Sequence, residues 1–147
     1  MELSGVLIIR EISIKQVLLP DGSGDWLPIL SVQISFESKK TCSFEALVDS
    51  GASITMFHGD FARAIGIIDI TTGQRSTMTG AVAGAEMYIY AHEVQLIIGS
   101  DKISITAFFS DDLPIAGLLG RNGFFENYIV TFNPTGNEPG FKLERIN

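Results

Sequence analysis

The sequence has a single cysteine, Cys42, in 147 residues. No disulfide can form within the chain, and a reducing, cytoplasmic setting is expected; Cys42 itself reads as a small, partly buried strand residue. Charge is sparse too. Charged residues make up 18% and hydrophobic ones 46%, a balance that excludes a disordered chain. Basic residues are scarcer than acidic ones: the 10 Lys and Arg are scattered and the net charge is −7, so no nucleic-acid partner is expected. No apolar run is long enough to span a bilayer, and no basic stretch leads into a long apolar one near the start. Neither a membrane partner nor a signal peptide is expected. No internal repeat is visible. The length suits a single domain, residues 1–147, with its core at about 26–133.

What the sequence does have is alternation of apolar and polar residues, broken by turn formers. Period-two patterns predict strands over 5–19, 26–37, 41–49, 52–57, 100–110, 128–132 and 140–146. Residues 20–25, Pro-Asp-Gly-Ser-Gly-Asp, lack the spacing of a calcium loop and read as an ordinary turn, and 37–40 reads as a hairpin turn. Helical patterns are confined to 58–65, with Phe61, Ala62 and Ile65 on one face, and to a short stretch at 122–128. Residues 74–98 predict a long hairpin with a small tip bounded by Gly80 and Gly84. The chain is therefore expected to be all-β with one or two short helices. His58 and His92 have no partner histidine nearby, so they read as surface or capping residues and no metal site is expected.

Two stretches stand out chemically. Ala46-Leu47-Val48-Asp49-Ser50-Gly51-Ala52-Ser53 is an apolar run that delivers a carboxylate to a turn. A carboxyl group at the end of a buried strand is costly unless it is paired or used. Leu113-Pro114-Ile115-Ala116-Gly117-Leu118-Leu119-Gly120-Arg121 is a second apolar run, ending in glycine and a cation. Asp111 and Asp112, just before it, are followed by no Ser/Thr-Gly and read as solvated turn acids.

In their order and separation these two stretches resemble the retropepsin family of aspartic proteases, over about residues 28–133. The resemblance implies a retropepsin-like half-barrel with a flap hairpin, and an aspartic endopeptidase needing no cofactor. Asp49, Ser50 and Gly51 would form its catalytic triplet. Ala52, Ser53, Ile115 and Ala116 would contact a peptide or protein substrate, as would Gly80, Val82 and Gly84 at the flap tip. Gly120 and Arg121 would give structural support. With one Asp-Ser-Gly copy, the second carboxylate must come from another molecule of the chain, which implies a homodimer with Asp49 of each subunit at the two-fold axis. Viral members often carry an acid where this chain has Ser53, so Arg121 needs a different partner from the one it commonly takes there. The alternative is a catalytically silent dimer of the same fold that binds peptides or serves assembly.

Overall fold

The computed structural model describes residues 8–9, 14–18, 21–22, 24–79, 85–133 and 140–146. Its strands are β1 (Ile8–Ile9), β2 (Ile14–Leu18), β3 (Gly24–Phe36), β4 (Lys39–Lys40), β5 (Phe44–Val48), β6 (Met56–His58), β7 (Gln74–Thr79), β8 (Glu86–Ile98), β9 (Asp101–Ser110), β10 (Gly117–Leu119), β11 (Tyr128–Asn133) and β12 (Gly140–Arg145). One α-helix, α1 (Gly59–Ala64), follows β6, and a short 3-10 turn spans Ile70–Thr72.

Strand pairing closes on itself. β3 pairs with β5, β5 runs parallel to β10, β10 antiparallel to β6, β6 parallel to β9, and β9 antiparallel to β8. Residues Gln33–Ser35 of β3 then return to Gln95–Ile97 of β8, so the ladder forms a barrel-like ring. Alternation turns one row of each strand into this ring: Leu30, Val32 and Ile34; Ala46 and Val48; Val94, Leu96 and Ile98; Ile103, Ile105, Ala107 and Phe109 are all buried. β2 extends the sheet beyond Gly24–Pro28, and β7 extends it along the outer half of β8.

A separate three-stranded sheet, in the order β1-β12-β11, lies beside the ring. Tyr128 and Leu143 bury themselves from it into the main core. A polar contact reinforces the join: Tyr128 Oη donates to Asp101 Oδ2, and Arg145 Nη1 donates to the same carboxylate at 2.9 and 3.2 Å. Burial, and then the bond to Asp101, push the Tyr128 phenol above its ordinary range. Burial also raises Asp101, but the bonds from Tyr128 and Arg145 outweigh it and hold this carboxyl below its ordinary range.

Several expected elements differ in extent. The stretch expected as one strand over 5–19 contains β1 and β2, which join different sheets, with 10–13 outside the described residues. Of the strand expected at 52–57 only Met56 and Phe57 lie in a strand, β6, which runs on to His58. Ala52 and Ser53 instead offer their carbonyls to Arg121 N and Asn122 N, so these residues cannot follow a sheet ladder. The strand expected from 41 begins at Phe44, because Thr41 turns inward and its Oγ1 accepts from Ile34 N at 3.1 Å. Cys42 lies in that irregular segment and is exposed, which corrects the partly buried strand residue expected from sequence. The helix expected at 122–128 is a wide single turn at Arg121–Phe125, where Phe125 N bonds Gly120 O and Glu126 N bonds Arg121 O. Gly123 has φ 97°, which no regular right-handed helix accepts. His58 caps α1 as expected: Asp60 N donates to its Nδ1 at 3.1 Å.

Candidate active site

Strand β5 carries Asp49 out of the core. Its neighbour Val48 is buried, whereas Asp49 is half-buried and Ser50 and Gly51 are exposed at the turn. The turn is short because the carboxylate closes it: Asp49 Oδ1 accepts from Gly51 N at 2.8 Å, and Ala52 N donates to Asp49 O at 3.1 Å. The other carboxylate oxygen, Oδ2, has no hydrogen-bond partner among the described residues. Asp49 and Ser50 line an open cleft of about 330 Å³ together with Pro28, Val48, Phe125, Val130 and Phe132.

The second singled-out stretch crosses directly behind this loop and is stitched to it. Asp49 N donates to Leu119 O at 2.9 Å, Arg121 N to Ala52 O at 2.9 Å, and Asn122 N to Ser53 O at 3.0 Å. Parallel pairing of Leu118 and Leu119 with Leu47 and Val48 continues the contact into the barrel. Gly120 sits at the crossing, where an added Cβ would lie 2.1 Å from Ile54 O and 2.8 Å from Ala52 O. Only a hydrogen fits there. Arg121 reaches back over the loop, and its Nη1 donates to Ser50 O at 2.9 Å. With no acid at position 53, a backbone carbonyl of the Asp49-Ser50-Gly51 turn takes the guanidinium.

Sequence reasoning did not single out Thr55. Its hydroxyl is buried at the crossing, donating to Asn122 O at 2.7 Å and accepting from Gly120 N at 3.2 Å. One side chain thus satisfies a donor and an acceptor on the opposite strand. A lone Thr after an Asp-Ser-Gly turn carries no pattern that would have marked it.

The remaining predicted contact residues fall in different places. Ala52 is buried and Ser53 exposed, both on the loop after Asp49. Ile115, 40% exposed, and Ala116 border a separate hollow with His58, Asp60, Phe61, Leu113 and Pro114. Gly80, Val82 and Gly84 lie outside the described residues. The arms of their hairpin are described: β7 and β8 pair antiparallel from Gln74↔Ala91 to Thr79↔Glu86. An apolar cluster packs the tip-ward part of the described arms onto the loop after Asp49, joining Met78, Met87 and Ile89 to Ile54, Met56 and Leu113. Tyr90 packs against the main core, while Tyr88 is exposed with the Arg75 guanidinium 4.8 Å above its ring.

Asp111 is a turn acid as expected, but not an unpaired one. Arg63 bridges it to Asp60, with Nη2 at 2.6 and 2.7 Å from the two carboxylates. Hydrogen bonds donated to Asp111 and then to Asp60 raise the Arg63 guanidinium further above its already high range. His58, Asp60 and Asp111 could bring three ligand atoms within 4.8 Å of one another, but Arg63 already occupies both acids.

No family model and no curated protein matches the sequence. Solved structures do match the fold. A retropepsin-like aspartic protease from Rickettsia conorii superposes with a TM-score of 0.59 at 16% identity, covering 99% of this chain and 98% of that one. The retroviral protease-like domain of Ddi1 from Leishmania major gives 0.50 at 16% identity, over 70% and 81%. The shared architecture is the retropepsin-like fold, as the paired motifs led one to expect.

Proposed function

We propose that this chain, with its retropepsin-like fold, is an aspartic endopeptidase whose active centre is completed by a second copy, Asp49 of each subunit meeting at a two-fold axis. The observation that carries this reading is the setting of Asp49. A buried strand and a hydrogen-bonded loop crossing deliver its carboxylate to an open cleft, with Oδ2 unbonded among the described residues.

The chemistry follows from two like charges brought together. Two carboxylates a few ångströms apart do not both ionise readily, so they share one proton and titrate as a unit. The ionised member takes a proton from a water held between them. The protonated member donates a hydrogen bond to the scissile carbonyl oxygen, and attack yields a neutral gem-diol with no covalent enzyme intermediate. Collapse of the gem-diol, with the proton delivered to the leaving amine, breaks the peptide bond. Gly51 N holds Oδ1 and keeps each carboxylate in the plane the partner requires. The hydroxyl of Ser50 reaches to the partner's backbone and keeps the two loops in register. Ala52, Ser53, Ile115 and Ala116 contact the substrate, and the tip of the β7–β8 hairpin, with Gly80, Val82 and Gly84, closes over it. The setting is a cytoplasmic, reducing one.

Incubation of the purified chain with a peptide library at mildly acidic pH tests this. Cleavage that disappears in Asp49→Asn, while the sedimentation coefficient stays that of the wild type, is the expected result. Peptide binding that survives Asp49→Asn, with no cleavage by either protein, would make the chain a binding module instead.

A further inference from the structure

The loop between β9 and β10, residues 111–116, has to cross β6. Strand β6 lies between the other two, paired parallel to β9 at His58↔Ser110 and antiparallel to β10 at Gly117↔Phe57. A chain that leaves Ser110 and re-enters at Gly117 therefore passes over the point where β6 ends and α1 begins. The residue there is Gly59, and an added Cβ would lie 2.2 Å from Asp111 Oδ1. The missing side chain is what lets the Asp111 carboxylate settle over the first turn of α1.

Two fixed points hold the loop to this corner. At its far end, His58 N donates to Ala116 O at 3.0 Å. At its near end, Arg63 donates to Asp111 through Nη2 at 2.6 Å and Nη1 at 3.4 Å, and the same Nη2 reaches Asp60 at 2.7 Å. Between them Leu113 turns inward, into the apolar cluster with Met56 and Ile89. Pro114 and Ile115 are exposed, and a hollow of about 330 Å³ lies between Leu113–Ala116 and His58, Asp60 and Phe61. That hollow leaves the loop without close packing against α1, so its place relative to the helix rests on its two ends.

An exposed ion pair adds little to global stability, and Arg63 is not needed to keep the barrel folded. Its geometry matters more. One planar guanidinium spans two carboxylates on different segments, which fixes a direction as well as a distance. Asp60, three residues before Arg63 on α1, orients the guanidinium toward Asp111 from within the helix.

We propose that Arg63 is a positioning residue for substrate selection. By seating Asp111 on Gly59, it sets how far the 111–116 loop stands from α1, and hence where Ile115 and Ala116 meet a substrate side chain. This role rests on the endopeptidase reading above and deepens it: an ion pair that touches no substrate atom fixes one wall of the groove from outside.

Peptide cleavage and backbone amide exchange, measured side by side on the full wild-type chain, Arg63→Met and Gly59→Ala, test it. Arg63→Met removes the charge, whereas Gly59→Ala keeps it and pushes Asp111 off its seat. Two amides report on the loop: His58 N bonds Ala116 O, and Asp112 N bonds Ser110 Oγ at 3.0 Å. In both variants these two are expected to exchange about tenfold faster, with the amides of β8 and β9 unchanged. The KM for peptides with an apolar residue beside the scissile bond is expected to rise about tenfold with kcat within about twofold, since contacts made alike in ground and transition states are lost. A merely destabilised enzyme would lose kcat at an unchanged KM. Unchanged exchange at His58 and Asp112 in Arg63→Met would overturn the clamp, whether or not the chain cleaves peptides. Faster exchange with an unchanged KM would overturn its part in selection. A wild type that cleaves nothing, while both amides respond, would sink the endopeptidase reading and leave the clamp standing.

Discussion

Gly120 is where the 113–121 stretch crosses the loop after Asp49, and the space left for it is smaller than a methyl group. Gly120→Ala drives a Cβ into Ile54 O, so it is expected to cost about 1–3 kcal/mol in urea unfolding and to weaken cleavage beyond its effect on stability. Thr55 makes the same point by chemistry. Thr55→Val keeps the shape but leaves Gly120 N and Asn122 O unpaired in a buried setting, at a cost of about 1–3 kcal/mol, whereas Thr55→Ser keeps both bonds and most of the stability. Thermal unfolding of the two variants side by side checks it: equal loss in both would mean that the methyl group, not the hydroxyl, matters. Arg121→Met removes the donor to Ser50 O at an exposed site. Little change in unfolding is expected from it, with a fall in kcat of tenfold or so as the catalytic turn loosens.

At the scale of elements, the small sheet is tied to the barrel by Asp101, Tyr128 and Arg145, and its strength should follow pH. The Asp101 carboxyl is lowered in the folded state, so its contribution is present above the ordinary carboxylate value, about 3.9, and is lost as pH falls through the lower folded value. The Tyr128 phenol is raised, so its contribution is present below its ordinary value, about 10, and is lost as pH rises through the folded one. Between those limits the contact is intact. Asp101→Asn should therefore narrow the difference in stability between neutral and strongly acidic solution, read from thermal unfolding across pH. An unaltered pH profile would show that other carboxylates govern acid unfolding. Toward the tip of the described β7–β8 arms, Met78 and Met87 hold the hairpin to the loop after Asp49 by apolar contact.

For the whole molecule, the proposed half site per chain would make activity a property of concentration. Specific activity is expected to fall on dilution below the dimer dissociation constant, and to recover when the chain is concentrated again. Adding catalytically dead Asp49→Asn chains to the wild type should suppress cleavage in proportion to the heterodimers formed. Activity independent of dilution and untouched by the dead variant would mean that a single chain suffices.

Much of this was written in the order of residues. The alternation in β3, β8 and β9, the apolar run into Asp49, the hairpin arms and the capping role of His58 are all local properties, because side-chain period and turn chemistry act over a few residues. The pair of motifs carried the retropepsin-like fold as well. Local pattern failed where the backbone bonds across long separations: Ala52–Thr55 read as strand but spends its carbonyls on Arg121, Asn122 and Phe108, and Cys42 read as strand but sits in the exposed segment that follows the turn of Thr41. The Arg121 bond to Ser50 and the bonds of Thr55 to Gly120 and Asn122 were set only when distant segments packed together. Periodicity tells which face of a strand is apolar, but which edge is left free depends on the strands that have already taken the other one.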